Sequence, residues 1–248
     1  MKKEPIVVYW APVWSNIDDP GVRNWNLLYK DPTTLHEEYA AIRNKKVPRG
    51  YFMCPAVTTG FKSTLVFRSP MTFGYTYSTN ESGNITFVPK TSNYLSLVQE
   101  RLPTLVSAPT VTLAYSVALF SEEPLVAHFT SPYFHKSGYT ATASLVPGSF
   151  DIGQWFRPYN MEMQLWEKEG ELNFKDNEPI LYVDLQTERP IILKRFTNTA
   201  LLNKLIFEAA NDSLTIEGKV PLVNRYKRFK ETRQRSIVLR EIKNNLLD

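Results

Sequence analysis

The sequence predicts a mainly β protein: an antiparallel β-sandwich, with the jelly roll as one form of it, carrying a short N-terminal helix and two C-terminal helices. Three observations lead there. Between about residue 51 and residue 196, short β-branched and aromatic runs are separated by Gly, Pro and Asn, which suits two packed antiparallel sheets better than strand–helix–strand units. Helical spacing of apolar residues is found only towards the two ends. The chain has 248 residues, 43% of them hydrophobic and 13% aromatic, enough to bury a core without disulfide staples.

Taken in order, Ile6-Val7-Val8-Tyr9-Trp10 is β-branched and aromatic and reads as a strand, closed by Pro12 and the turn residues Asp18-Asp19-Pro20-Gly21. Asp31-Pro32 opens a short helix, the carboxylate accepting first-turn N–H groups and the proline standing where its missing donor costs nothing. Leu35, Tyr39 and Ile42 share one face of it, and Lys45, Lys46, Pro48 and Gly50 end it. Residues 63–68 and 73–77 are short alternating runs, and residues 80–84 form a hairpin loop before a strand at 85–88. The clearest strand is 110–120, where Val111, Leu113, Tyr115, Val117 and Leu119 fall on one face. Further strands are expected at 125–130, 139–145, 161–168, 179–185 and 191–195, with 93–102 open between strand and helix. Thr197-Asn198-Thr199 is N-cap material for a helix carrying Leu201, Leu202, Leu205, Ile206 and Ala209, broken at Asn211-Asp212. A second helical run over 223–247 has a loose apolar stripe and is expected to dock only lightly. Residues 1–218 therefore read as a β-rich body and 219–248 as a basic helical appendage.

Charge is uneven. The net formal charge is +4, yet the last thirty residues hold nine basic and three acidic side chains, so the rest of the chain is slightly acidic. Arg225, Lys227, Arg228, Lys230, Arg233 and Arg235 form a candidate interaction surface for an acidic partner, with a solvated helix face as the plain alternative. Basic and aromatic residues interleave in Arg225-Tyr226-Lys227-Arg228-Phe229-Lys230, but no nucleic-acid-binding pattern accompanies them, so nucleic acid is not the expected partner. Protein partners or self-assembly are. No run of eighteen apolar residues occurs, so no membrane contact is expected. The one cysteine, Cys54, excludes an internal disulfide framework and reads as a small buried hydrophobe.

Motifs for catalysis are sparse. His128 and His135 flank residues 129–134, and a sandwich could join them with a carboxylate in a two-histidine iron site, but the acid two residues beyond a histidine that jelly-roll oxygenases carry is missing. Neither a nucleophile elbow nor a glycine-rich phosphate loop is present, and no cofactor is expected. The most distinctive stretch is Pro147-Gly148-Ser149-Phe150-Asp151-Ile152-Gly153-Gln154-Trp155-Phe156-Arg157-Pro158-Tyr159. Trp155, Arg157, Asp151 and Tyr159 are its candidate binding residues, because aromatic and arginine side chains are common interface anchors. The same residues could equally make a structural corner in which Arg157 bonds backbone carbonyls and Trp155 plugs the end of the sandwich. Tyr9, Trp10, Trp14, Trp25 and Tyr29 make a second aromatic group, read as core or interface.

At Trp10-Ala11-Pro12-Val13, Trp25-Asn26-Leu27-Leu28-Tyr29, Met53-Cys54-Pro55-Ala56 and residues 150–158, the chain resembles uncharacterised proteins of tailed phages, chiefly of the T4-like marine and cyanophage type. The resemblance spans about the first 200 residues, and Asn177-Glu178-Pro179-Ile180 is similar to a broader phage and bacterial family. It carries over no functional residues. It implies a phage setting, hence synthesis in the host cytoplasm, with the virion as a further destination. The function expected is a non-enzymatic structural or protein-interaction module. The alternatives are an intracellular effector that binds a host protein or small molecule, and a jelly-roll enzyme using His128 and His135.

Overall fold

Apolar residues two apart from Thr110 to Ser121 form the longest strand of the computed structural model, twelve residues, and both faces of that strand are buried. The structure describes residues 3–13, 28–43, 54–81, 85–90, 98–100, 110–210 and 222–247. The strands are β1 (Ile6–Val13), β2 (Thr33–Thr34), β3 (Thr64–Arg68), β4 (Phe73–Thr79), β5 (Ile85–Pro89), β6 (Val98–Glu100), β7 (Thr110–Ser121), β8 (Val126–Thr130), β9 (Ala143–Leu145), β10 (Gly148–Asp151), β11 (Pro158–Leu165), β12 (Glu169–Phe174), β13 (Pro179–Leu185) and β14 (Ile191–Arg195). The helices are α1 (Leu35–Arg43), α2 (Pro55–Thr58), α3 (Ala200–Ala210), α4 (Leu222–Glu231) and α5 (Gln234–Asn244). The expected turn at 18–21, the helix end at 45–50, most of the undecided segment 93–102 and the break at Asn211-Asp212 lie outside the described residues, as do Trp14 and Trp25.

Two sheets face each other. The first runs β14-β1-β7-β11-β9, with β6 also on β7; the second runs β10-β8-β13-β3-β2, and a small third sheet, β12-β4-β5, completes the molecule. The protein is mainly β, and among the described residues its ladders are antiparallel except one: β1 pairs β14 in parallel. The five side chains expected on one face of β7 all enter the main core. Across from them stand Leu65, Phe67, Ala127, Phe129 and Val183 of the second sheet, with Trp10 meeting Phe67 edge-on at 5.8 Å. Phe73, Tyr75, Leu172 and Phe174 bring the third sheet into the same core. Each fully buried large apolar side chain contributes about 2 to 3 kcal/mol.

The opposite face of β7 presents Ala118 and Phe120, and here the expectation of a lightly docked C-terminal run is corrected. Phe229 of α4 and Val238 and Ile242 of α5 are buried with Tyr9, Phe120, Phe156, Phe196, Leu202 and Ile206 in a second core. The loose stripe works because the run breaks after Glu231, so α4 and α5 each turn their own apolar residues inward. The chain then finishes beside β14: the Leu247 N–H donates to Arg195 O at 2.9 Å and the Thr197 N–H to Asn245 O at 2.8 Å.

Two helix starts can be compared with expectation. Thr199 caps α3 as expected, its hydroxyl accepting the Leu202 N–H at 3.3 Å. The first helix starts later than Asp31-Pro32 suggested. Thr34 and Glu37 form a reciprocal capping box, with the Thr34 N–H on Glu37 Oε2 at 2.6 Å and the Glu37 N–H on Thr34 Oγ1 at 3.2 Å. Cys54 is exposed rather than buried.

Candidate functional site

Residues 146–162 build the site. Val146 and Pro147 carry the chain from β9, at the edge of the first sheet, to β10, at the edge of the second. The chain then returns into β11, and where the two sheet edges part there is a cavity of about 190 Å³. Its walls include Phe129, Ser149, Phe150, Trp155, Arg157, Tyr159 and Glu162.

Local chemistry aims these side chains. The Asp151 carboxylate accepts the N–H groups of Leu125 and Gly153, both at 2.9 Å, and so folds the loop after β10 onto the β7–β8 turn. Position 153 admits only glycine, because a Cβ there would lie 2.0 Å from Glu123 O. The pinned loop holds Trp155 and Arg157 at the cavity mouth. Below them the rings are layered: Tyr159 stacks on Phe129 at 3.9 Å, Phe129 on Phe150 at 5.2 Å, and Phe150 meets Trp155 edge-on at 6.0 Å. The Arg157 guanidinium lies 4.8 Å from the Trp155 ring and 5.5 Å from Phe150.

Hydrogen-bonding capacity is left over. Trp155 Nε1 and the Tyr159 hydroxyl are buried without a partner, in side chains only 9% exposed. Arg157 donates Nε to its neighbour Pro158 O at 3.3 Å, and its other nitrogens bond nothing among the described residues. Buried donors are ordinarily paired, so these two call for an acceptor, and the half-buried Arg157 guanidinium lines the same cavity with donors to spare. Their protonation suits that. Burial lowers the Arg157 pKa and the Glu162 charge opposes it, which leaves the guanidinium charged. Burial, and after it Glu162, pushes the Tyr159 phenol far above its ordinary value, so it keeps its proton to donate.

Comparison with family models, with curated proteins and with solved structures finds no match. Function is therefore read from the side chains themselves.

Of the four expected binding residues, Trp155, Arg157 and Tyr159 come together in the cavity, while Asp151 stands outside it as the brace of the loop. Trp155 has a second role near that of the structural corner, since its ring meets Tyr226 of α4 edge-on at 5.4 Å. The expected basic surface is divided. Lys227, Arg228 and Arg233 are exposed, whereas Arg235 is a clamp: it donates Nε to Gly153 O at 2.9 Å, bonds Glu122 O and lies over Phe120. The side chains of Arg225 and Lys230 lie outside the described residues.

The structure gives His128 and His135 separate surroundings. His128 shares a hydrogen bond of 2.7 Å with Ser149, in a row across β10, β8 and β13 that ends at Asp184. Asp184 itself accepts from Ser63 at 3.4 Å and Gln186 at 3.0 Å. Among the described residues, no group of three His, Cys, Asp or Glu is arranged to hold a metal ion. His135 belongs to a cluster that sequence reasoning missed. Its Nε2 lies 2.9 Å from Glu38 Oε2, its Nδ1 bonds the Tyr182 hydroxyl, and Glu38 Oε1 accepts from Arg68 at 2.6 Å. Burial alone would raise the Glu38 carboxyl, but hydrogen bonds from His135, Thr33 and Arg68 and the Arg68 charge bring it down to about 2. Four separate chain segments supply these groups, so no local spacing signals them.

Proposed function

We propose that this chain is a protein-interaction module whose working site is the Trp155–Arg157–Tyr159 cavity, and that the cavity captures a carboxylate. The observation that carries the reading is the pair of buried, unpartnered donors, Trp155 Nε1 and Tyr159 OH, beside a charged guanidinium. A carboxylate pairs with the open guanidinium, in a charge-assisted bond about twice as strong as a neutral one, and a small shift of the rings would bring its remaining lone pairs to the two buried donors. The aromatic walls lower the local dielectric and strengthen that pairing. Titration calorimetry with propionate tests it. Arg157→Ala is expected to weaken binding by roughly tenfold or more, and propionamide, which lacks the charge, by a similar factor. Equal affinities for propionate and propionamide would remove the reading.

The setting proposed is a tailed phage, with the virion as destination, and it rests on the resemblance at residues 10–13, 25–29, 53–56 and 150–158. Quantitative mass spectrometry of purified particles checks it: a fixed copy number kept through a density gradient is the expected result, and absence from particles would point to the effector alternative.

A further inference from the structure

We infer that the carboxylate taken by this cavity is the side chain of an acidic, extended segment of a partner protein, which adds as a strand along the free edge of β10. The inference rests on the carboxylate reading of the cavity. Four observations carry it. First, β10 is the outermost strand of its sheet and pairs only with β8 among the described residues. Second, the hydrogen-bond phase is fixed. The β10–β8 register continues to Ile152 opposite Leu125, where the Ile152 N–H donates to Leu125 O at 2.9 Å. Antiparallel pairs alternate, so Phe150 and Gly148 also turn their backbone groups towards β8, and the N–H and C=O of Ser149 face the open side. That is one donor and one acceptor ready for another backbone.

Third, the cavity lies along this edge, with Gly148, Ser149 and Phe150 in its lining. A strand laid beside β10 would run about 4.8 Å away, so one of its alternating side chains meets the cavity mouth while its neighbours point elsewhere. There is also room on the sheet face beside this edge, since a Cβ built at Gly148 meets nothing within 4 Å. Fourth, charge favours an acidic occupant. Arg157 and Glu162 offset each other within the cavity, and the surplus positive charge comes from the exposed Lys227 and Arg228, which follow directly on Tyr226, whose ring touches Trp155. The two interactions divide the work: backbone pairing to Ser149 gives affinity, and the Arg157 cavity selects the acidic residue.

The test is calorimetry on the full chain with an acetyl- and amide-blocked pentapeptide that has Glu at its centre and Val on either side. Its comparators are the central-Gln peptide, the Glu peptide N-methylated at the amides of its β10-facing edge, and propionate. The Glu peptide is expected to bind about tenfold more tightly than the Gln peptide, and N-methylation to cost about tenfold. Ser149→Pro removes the outward N–H from an edge strand, where proline is tolerated. It should weaken the peptide by a similar factor and weaken propionate much less, while Ser149→Ala, which removes the cavity-lining hydroxyl and its bond to His128 but keeps the backbone donor, measures the side-chain share of that loss separately. If Ser149→Pro does not fold, the N-methylated peptide decides alone. Peptide binding that survives N-methylation within about twofold overturns strand addition and leaves the carboxylate cavity standing. Failure of wild-type protein to bind either propionate or peptide overturns both.

Discussion

Tyr159 shows what an unpartnered buried hydroxyl costs a fold. Its hydroxyl is buried without a partner, a condition that destabilises by about 1 to 3 kcal/mol. Tyr159→Phe should therefore raise the melting temperature, by about 2 to 4 °C per kcal/mol recovered, while weakening carboxylate binding. Differential scanning calorimetry with and without propionate checks both halves, and a melting temperature that falls would contradict the first. Gly153 acts in the opposite sense. With Glu123 O at 2.0 Å from any added Cβ, Gly153→Ala must shift the brace loop or the β7–β8 turn. It should cost about 3 kcal/mol in urea unfolding and weaken ligand binding through misplaced Trp155 and Arg157. At this scale the sequence was legible where residue type alone carries meaning. Trp155, Arg157 and Tyr159 stood out as anchors crowded among turn residues. Asp151 did not differ from them on paper, because whether a carboxylate faces a ligand or its own backbone depends on the loop conformation.

Among elements, the tie between α1 and the sheet is electrostatic. Glu38 is held by Arg68, Thr33 and His135, and its carboxyl stands at about 2 against an ordinary 4.5. A folded-state pKa below the unfolded value gives stability that is complete above about 4.5 and lost as pH falls towards about 2. Glu38→Gln should accordingly cost about 2 kcal/mol at neutral pH and flatten the acid limb of the stability profile between those values. Parallel acid limbs for the two proteins would disprove it. The β7 face was readable because a period of two is local information, and so was the Thr199 cap. β10 and β12 were missed: Gly148 and Gly170 look like turn residues, yet each starts or enters a short strand whose partner is not its neighbour in sequence, β10 pairing with β8 and β12 with the distant β4. The capping box at Thr34 displaced the expected start at Asp31 because two reciprocal bonds outweigh one.

For the whole molecule, the second core decides how the C-terminal third behaves. Phe229 is 4% exposed against Phe120, so Phe229→Ala should cost about 3 to 5 kcal/mol, read as a lower urea midpoint. Removing residues 219–248 would uncover Tyr9, Phe120, Phe156 and Phe196 together. The truncated chain is expected to bind a hydrophobic dye and to lose its cooperative melt, and a sharp melt without dye binding would show that the body stands alone. The tail's composition concealed this, because nine basic residues in thirty describe its wet side and say little about the three side chains that hold it down. The parallel pairing of β1 with β14 has a consequence for manufacture. β1 leaves the ribosome about a hundred residues before β7 and about 180 before β14, so its first ladder partners arrive late on both sides. At about ten residues per second that is a delay of many seconds, during which Ile6, Val8 and Trp10 have no sheet to join. A nascent chain halted short of residue 191 would therefore be the form that a chaperone holds, while the finished protein would not need one.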